Sequence, residues 1–323
     1  MIFDAIFIDV FNLAYRKSSS DDYKKIANEF IDFINKEARG HLDADGTIYL
    51  LFDPLPKSDL GLSKSFRYSP RLRNAIVGSY KKNRVANPHV GEAIKLLKKY
   101  YSFRGDKIKI CISDNLEADD FVEQLLVKEP GNVALVTTDS DWARYITDRT
   151  VMINKSFDKP YTKEQYQKEN GLIPTVATVT LKKAIFGDPS DNIDGIFDSK
   201  KNYYEGNMED IAKMMLYYIA KENMSFKDVE KHLKDAAFQR LFNVQNRNPL
   251  EDFEYHLIAV DPNVASPYNA LLDNIRVIKS RCDNIDKYIV SRPVDEKVNM
   301  LMENLLGRTP STRKSLTFGT LKA

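Results

Sequence analysis

Hydrophobic positions in the first half of the chain follow two alternating patterns. Short apolar runs rich in β-branched residues alternate with segments whose apolar residues recur at helical spacing. The predicted strands are 5–10, 47–52, 107–112, 132–138 and 150–154. The predicted helices between them are 21–38, 90–102 and 117–129. This alternation predicts the α/β class, with a mostly parallel central sheet flanked by helices.

The second half has a different pattern. Apolar spacing is mostly helical there, for example over 208–223, 226–242 and 268–278, and no acidic residue follows Glu303. We therefore expect an α/β domain over 1–174, a smaller helical domain over 175–306 and a basic flexible tail over 307–323.

Composition narrows the class of protein. The chain has 323 residues, of which 43% are hydrophobic and 29% charged, and its net charge is +2. No apolar run approaches the roughly 20 residues of a membrane helix. The apolar N-terminus has no basic segment before it and reads as a strand, and the two cysteines are far apart. These features predict a monomeric cytoplasmic protein without membrane contact, and they give no signal for zinc.

Acidic residues follow four of the predicted strands. Asp9 ends the first, Asp53 follows the second, an acidic group at 114–120 follows the third, and Asp139 and Asp141 follow the fourth. Any single one of these could simply cap the next helix. Acids after four strands on one sheet edge, however, would form a cluster of like charge. Such a cluster is stable only if divalent cations neutralise it or if some of the carboxyl pKa values rise. Oxygen ligands without His or Cys favour Mg²⁺ or Mn²⁺.

Basic residues are concentrated in one window. Between Leu60 and Gly91 there is no Asp or Glu, while seven Lys and Arg residues occur there together with Tyr68 and Tyr80. Such a block is often only a solvated face, but the interleaved tyrosines also suit a nucleic-acid backbone.

Six motifs in order resemble those of the 5′-nuclease superfamily, and most closely its T-even phage RNase H type. They are "FIDVFNLAYR" (7–16), "LFD" (51–53), "SYKKNR" (79–84), "EADD" (117–120), "TTDSDW" (137–142) and "GDPSDNI" (187–193). The resemblance implies a PIN-like α/β core and a helical C-terminal domain with a helix–turn–helix-type element that binds duplex.

The resemblance also implies roles for the acids. Two metal ions can supply both a nucleophilic hydroxide and a stabilised leaving oxygen in phosphodiester hydrolysis. The first ion would be held by Asp9, Asp53, Asp119 and Asp139, and the second by Asp141, Asp188 and Asp191. Glu117 and Asp120 would orient metal-bound water.

The basic residues take matching roles by the same resemblance. Those at the scissile phosphate or facing the active site would be Lys81, Arg84, Arg73 and Lys183, with Tyr80 stacking on a base. Further contacts to nucleic acid would come from Lys82, Arg71, Lys200 and Lys201. Lys182, next to Lys183, is expected to meet solvent.

Two features depart from the family pattern. After Gly195 the later glycines of the family's phosphate-binding turn are replaced by Asp198 and Lys200, which puts a bound potassium ion in doubt. Arg84 and Glu117 are only 33 positions apart, fewer than in relatives with a helical arch. An open groove is therefore expected in place of a hole that a 5′ strand threads.

The function expected from these motifs is a Mg²⁺- or Mn²⁺-dependent 5′→3′ nuclease with two ions. It would act on DNA, RNA·DNA duplexes and 5′ flaps, with RNase H activity, and remove RNA primers in phage replication in the host cytoplasm. A single-strand-binding protein or a sliding clamp is a candidate partner of the tail. The alternatives are a catalytically weak DNA-binding protein of the same fold and a haloacid-dehalogenase phosphatase, which Phe11 disfavours because that chemistry needs a second Asp there.

Overall fold

The computed structural model describes most of the α/β region and parts of the helical region. The described residues are 1–18, 21–54, 87–105, 107–114, 116–196, 208–225, 227–229, 231–232, 267–279, 282–290 and 292–308. Element labels below count only the helices and strands in these ranges.

A six-stranded sheet forms the centre of the molecule. The strands are β1 (Phe3–Asp9), β2 (Leu42–Leu51), β3 (Ile108–Cys111), β4 (Val133–Val136), β5 (Thr150–Met152) and β8 (Ile289–Val290). Their order is β5-β4-β1-β2-β3-β8, and every neighbouring pair is parallel except β3 and β8. The expectation of a mostly parallel sheet flanked by helices is confirmed.

Several α-helices have both ends within the described ranges. They are α1 (Val10–Arg16), α2 (Tyr23–Lys36), α3 (Pro88–Tyr101), α4 (Ala118–Lys128), α5 (Lys163–Asn170), α6 (Val176–Phe186), α7 (Met208–Lys221), α8 (Pro267–Ile278) and α9 (Glu296–Leu305). None of the helices in these ranges combines the length and apolarity that a membrane span requires.

Side chains on the two faces of the sheet enter two separate cores. On β1, Ile6 and Ile8 pack with helices α1, α2, α3 and α9, whereas Ala5 and Phe7 pack with α4 and the 3₁₀ helix Ser140–Tyr145. Successive residues of a strand point to opposite faces, so a strand covered on both faces is apolar throughout. This explains why "AIFI" lacks the polar alternation of a half-exposed strand.

Helices α6, α7 and α8 form a third core next to the sheet. Leu181, Leu216 and Leu271, one from each helix, are buried there. The buried Asn274 of α8 donates to the backbone oxygens of Ala184 (2.9 Å) and Asp194 (2.8 Å). This amide satisfies two backbone acceptors and fixes α8 against the end of α6.

The last described part of the chain returns to the α/β region. Strand β8 pairs with β3. Met302 of α9, and Leu306 just after it, are buried in the same core as α2 and α3. Buried Glu303 accepts a hydrogen bond from Tyr100 (2.9 Å) and pairs with Arg104. Strand β8 and helix α9 therefore pack with the sheet and its helices, and the division into 1–174, 175–306 and 307–323 stays a prediction.

Candidate metal centre

Three neighbouring parallel strands deliver acids to one edge of the sheet. Strands β2, β1 and β4 lie side by side, and Asp53, Asp9 and Asp139 follow or end them. The carboxyl ends of parallel strands share an edge, which is where α/β sheets place their binding residues.

The carboxyl group of Asp9 is buried at this edge and lies near other acids. Its Oδ1 accepts from the Asn12 backbone N–H (3.0 Å) and its Oδ2 from the Thr137 hydroxyl (3.1 Å), and only 6% of the residue is exposed. Burial, together with the charges of Asp53 and Asp139, raises the pKa of Asp9 to about 8. Without a cation, Asp9 therefore keeps its proton in neutral solution.

The "EADD" acids surround the first turn of α4. Asp120 Oδ2 accepts from the Glu117 backbone N–H (2.9 Å), so Asp120 also caps the helix. Asp53 Oδ1 accepts from the Ala118 backbone N–H (2.8 Å) and joins α4 to the end of β2. Glu117 and Asp120 are almost fully buried at the N-terminal end of this helix.

Arg144 is a buried cation that the sequence analysis missed. Its Nη2 donates to Asp119 Oδ2 (3.0 Å) and its Nη1 to the Ile278 carbonyl at the end of α8 (2.7 Å). Only 1% of the Arg144 side chain is exposed. The sequence offers only a weak signal for it, namely the spacing of Arg144 three residues after Asp141 in the same 3₁₀ helix.

A second group of acids lies next to the first. Asp141, Asp188 and Asp191 are buried, and one carboxylate oxygen from each lies within 4.8 Å of the others. Asp139 accepts from the Asp141 backbone N–H (3.0 Å), which joins this group to the edge of the sheet. Three buried oxygen donors at this separation are a fitting ligand set for a hard divalent cation.

Lys183 of α6 is paired with two members of this group. Its Nζ donates to Asp188 Oδ2 (2.7 Å) and also forms an ion pair with Asp141. Burial alone would raise the pKa of Asp188, but Lys183 and hydrogen bonds from Ser190 outweigh it, so the pKa lies below its ordinary value. Lys183 therefore keeps Asp188 ionised.

A tight hairpin positions Asp188 and Asp191. Strands β6 (Gly187–Asp188) and β7 (Ile193–Asp194) pair antiparallel on either side of the 3₁₀ turn Pro189–Asp191. Gly187 has a positive φ of 84°. A Cβ on Gly195 would lie 2.6 Å from the Phe186 carbonyl carbon, so the two backbones can approach only without a side chain there.

The structure thus places Asp9 near Asp53 and Asp139 at the strand ends, joins the first turn of α4 to Asp53, and brings Asp141, Asp188 and Asp191 together with Lys183 beside them. The basic and aromatic residues named for the phosphate and for nucleic acid lie outside the described residues. They are Arg71, Arg73, Tyr80, Lys81, Lys82, Arg84, Lys200 and Lys201.

Sequence comparison finds two informative relatives. The chain is 34% identical over 129 residues to a 5′-3′ exonuclease of Buchnera aphidicola, a match that covers 39% of this chain and 44% of that protein. It is 25% identical over 268 residues to the flap endonuclease of Escherichia phage T5, covering 79% of this chain and 81% of that protein. No protein-family model matches the chain.

Structural comparison finds the same group. The T5 D15 protein co-crystallised with metal ions has a TM-score of 0.51 at 18% identity, over 85% of this chain and 88% of that one. T5 5′-exonuclease with bound zinc has a TM-score of 0.50 at 20% identity, again over 85% and 88%. By sequence and by fold, this chain resembles the 5′-nuclease superfamily. The resemblance predicted from the six motifs is confirmed.

Proposed function

We propose that this chain is a divalent-metal-dependent 5′-nuclease that hydrolyses phosphodiester bonds in DNA. The observation that carries the proposal is the buried group Asp141, Asp188 and Asp191, which adjoins the acids at the strand ends. A sequence match to a flap endonuclease over most of the chain supports the same reaction class.

The acids would supply the ligands for two ions. Asp9, Asp53, Asp119 and Asp139 line the first group, and Asp141, Asp188 and Asp191 the second. When bound, Mg²⁺ or Mn²⁺ would offset the carboxylate charge, activate the attacking water and stabilise the leaving oxygen.

Residues of the chain itself prepare this centre. Arg144 fixes the carboxylate of Asp119, and Thr137 and the Asn12 backbone fix that of Asp9. Lys183 supplies a positive charge beside Asp188. By resemblance, Lys81 and Arg84 would bind the scissile phosphate.

The proposal extends to the range of substrates and to the biological role. RNA·DNA duplexes and 5′ flaps would be cut as well as DNA duplexes, and the role would be removal of RNA primers in phage replication. A single-strand-binding protein or a sliding clamp would be the partner of the basic tail, whose residues after Arg308 lie outside the described ranges.

The proposal is tested by comparing three substrates. A labelled 5′-flap DNA, a labelled RNA·DNA duplex and a small phosphate monoester are incubated with the protein and Mg²⁺. We expect phosphodiester cleavage from the 5′ side of both nucleic acids and no release from the monoester. Binding of the flap without cleavage would favour a catalytically weak DNA-binding protein, and monoester hydrolysis alone would favour a phosphatase.

A further inference from the structure

A cavity of about 470 Å³ lies beside α6, and its described lining contains none of the acids of the metal centre. This volume is within the range of ligand pockets, about 300–1,000 Å³. Its walls come from the end of α5, from α6 and from α7, namely 170–172, Lys182, Phe186, Lys213, Leu216 and Tyr217. We call this feature the α6–α7 cavity.

Adjacent lysines of α6 face different environments. Lys183 pairs with Asp188 in the metal centre, whereas Lys182 lines the α6–α7 cavity and donates to Asn170 Oδ1 (2.8 Å). Burial lowers the pKa of Lys182, so its half-buried ammonium is short of solvation. The expectation that Lys182 meets solvent is therefore only half right.

The lining combines apolar walls with a positive rim. Half-buried Leu172 and Phe186 supply apolar surface, core residue Leu216 lies beneath them, and Tyr217 leaves 61% of its surface exposed. Lys182 and Lys213 supply positive charge, and none of the lining residues in the described ranges is acidic. Exposed Met214 extends the apolar surface along α7.

We propose that the α6–α7 cavity docks an acidic peptide segment of a partner protein. An apolar side chain of that segment would pack against Leu172 and Phe186, and a neighbouring carboxylate would pair with Lys182. Such a carboxylate would restore the solvation that burial removes from the ammonium, and apolar burial would supply most of the affinity. The chain's own terminal residues 309–323 fit poorly, because they are basic and contain no acid.

Nucleic acid fits this cavity less well than a peptide. To recognise a nucleobase, a site needs polar side chains that can hydrogen-bond to the edge of the base. The amide side chain in the described lining, that of Asn170, already makes hydrogen bonds through both its oxygen and its nitrogen. Asn170 accepts from Lys182 through Oδ1 and donates to the Tyr166 carbonyl through Nδ2 (3.1 Å). The remaining walls are mostly apolar, whereas surfaces that bind a phosphate backbone are polar and strongly positive.

The test uses a short fluorescein-labelled peptide in which Trp and Phe are flanked by Asp, titrated with the full-length protein. We expect saturable binding that Lys182→Gln weakens about tenfold, because the charge-assisted contact is lost while Gln can still donate to Asn170. Tyr217→Ala should weaken it similarly. Lys221→Gln is the matched control on the exposed end of α7 outside the cavity, and it should bind as the wild type does.

Two further arms separate the possible outcomes. Peptides with Asn for Asp, or Ser for the aromatic residues, should bind more weakly, and 5′-flap DNA should not displace the acidic peptide. The proposal is overturned if no saturable binding occurs, if Lys182→Gln and Tyr217→Ala bind normally, or if the flap displaces the peptide. Flap cleavage without peptide should be unchanged in both variants, so a failed docking site would not be confused with a failed nuclease assignment.

Discussion

At the scale of single residues, two cations, buried Arg144 and half-buried Lys183, balance the acidic edge. Arg144 pairs with Asp119, and Lys183 pairs with Asp141 and Asp188. Charges taken out of water need such partners, because their desolvation is otherwise uncompensated. The remaining carboxylates include Asp9, whose pKa is raised by burial and by the charges of Asp53 and Asp139.

Removing Arg144 should destabilise the protein strongly. Arg144→Met would leave the Asp119 carboxylate and the Ile278 carbonyl buried without this donor, a loss of about 3–5 kcal/mol. Urea unfolding in EDTA measures it. Arg276→Met is the matched control, because its ion pair with Asp273 is exposed and such pairs contribute about 0–1 kcal/mol. Equal, small losses in both variants would contradict a structural role for Arg144.

Asp9 should make the metal-free protein less stable as pH rises. Its pKa is about 8 when folded and near 3.8 when unfolded, so the folded state binds more protons between these values. The contribution of Asp9 to stability is therefore full below about pH 4 and is lost progressively up to about pH 8. In EDTA, Asp9→Asn should raise the melting temperature near pH 8 and have less effect near pH 5. A larger effect at the acidic pH would refute the direction of this shift.

At the scale of elements, the β6–β7 hairpin sets the second acidic group. The close backbone contact of Gly195 with Phe186 and Gly187 fixes the turn that carries Asp188 and Asp191. Asn274 supports the same hairpin from α8 by donating to the Asp194 carbonyl. The second group of acids therefore depends on helix α8, whose Asn274 lies 80 residues after Asp194 in the chain.

Replacing Gly195 with Ala should damage the centre without changing any acid. The new Cβ would lie 2.6 Å from the Phe186 carbonyl carbon, so the hairpin strands must separate. We expect weaker divalent-ion binding by calorimetry and at least about tenfold slower flap cleavage. Gly40→Ala is the control, because nothing lies within 4 Å of its added Cβ. Unchanged ion binding in Gly195→Ala would show that the hairpin tolerates separation.

Strand ends were the most predictable part of the site. Asp9, Asp53 and Asp139 could be placed because the period of apolar residues locates each strand, and parallel strands bring their ends together. The partners of Arg144 and Asn274 could not be placed in the same way. Each contacts backbone groups far away in sequence, and no local pattern reports such a contact.

At the scale of the whole molecule, the sheet domain is closed by the far end of the described chain. Glu303 of α9 contacts Tyr100 of α3 and Arg104 in the turn after α3. Arg308 pairs with Asp32 of α2. The helical spacing of 296–305 was too short and too polar to indicate this return. The expected domain boundary near residue 174 stays a prediction.

Helix α3 bears on how a 5′ strand would reach the centre. Val90, Ile94 and Leu97 bury α3 in the core beside α2, so this helix is not available to form an arch. The residues at 55–86 lie outside the described ranges, and the expectation of an open groove remains a prediction from sequence. A flap blocked with streptavidin before enzyme is added should then be cut at a rate close to that of the free flap. Complete arrest of the blocked flap, with a productive complex when the block is added later, would show threading.

The most direct test of the central claim is cleavage of a 5′-labelled flap as Mg²⁺ is titrated, in the wild type, Asp141→Asn and the surface control Asp283→Asn. Flap binding is measured separately in Ca²⁺. The account predicts no cleavage in EDTA, saturable activation of the wild type and the control by Mg²⁺, and about a hundredfold or greater loss in Asp141→Asn with flap binding retained. Cleavage that persists in EDTA, or an Asp141→Asn variant that cuts at nearly the wild-type rate, would contradict it.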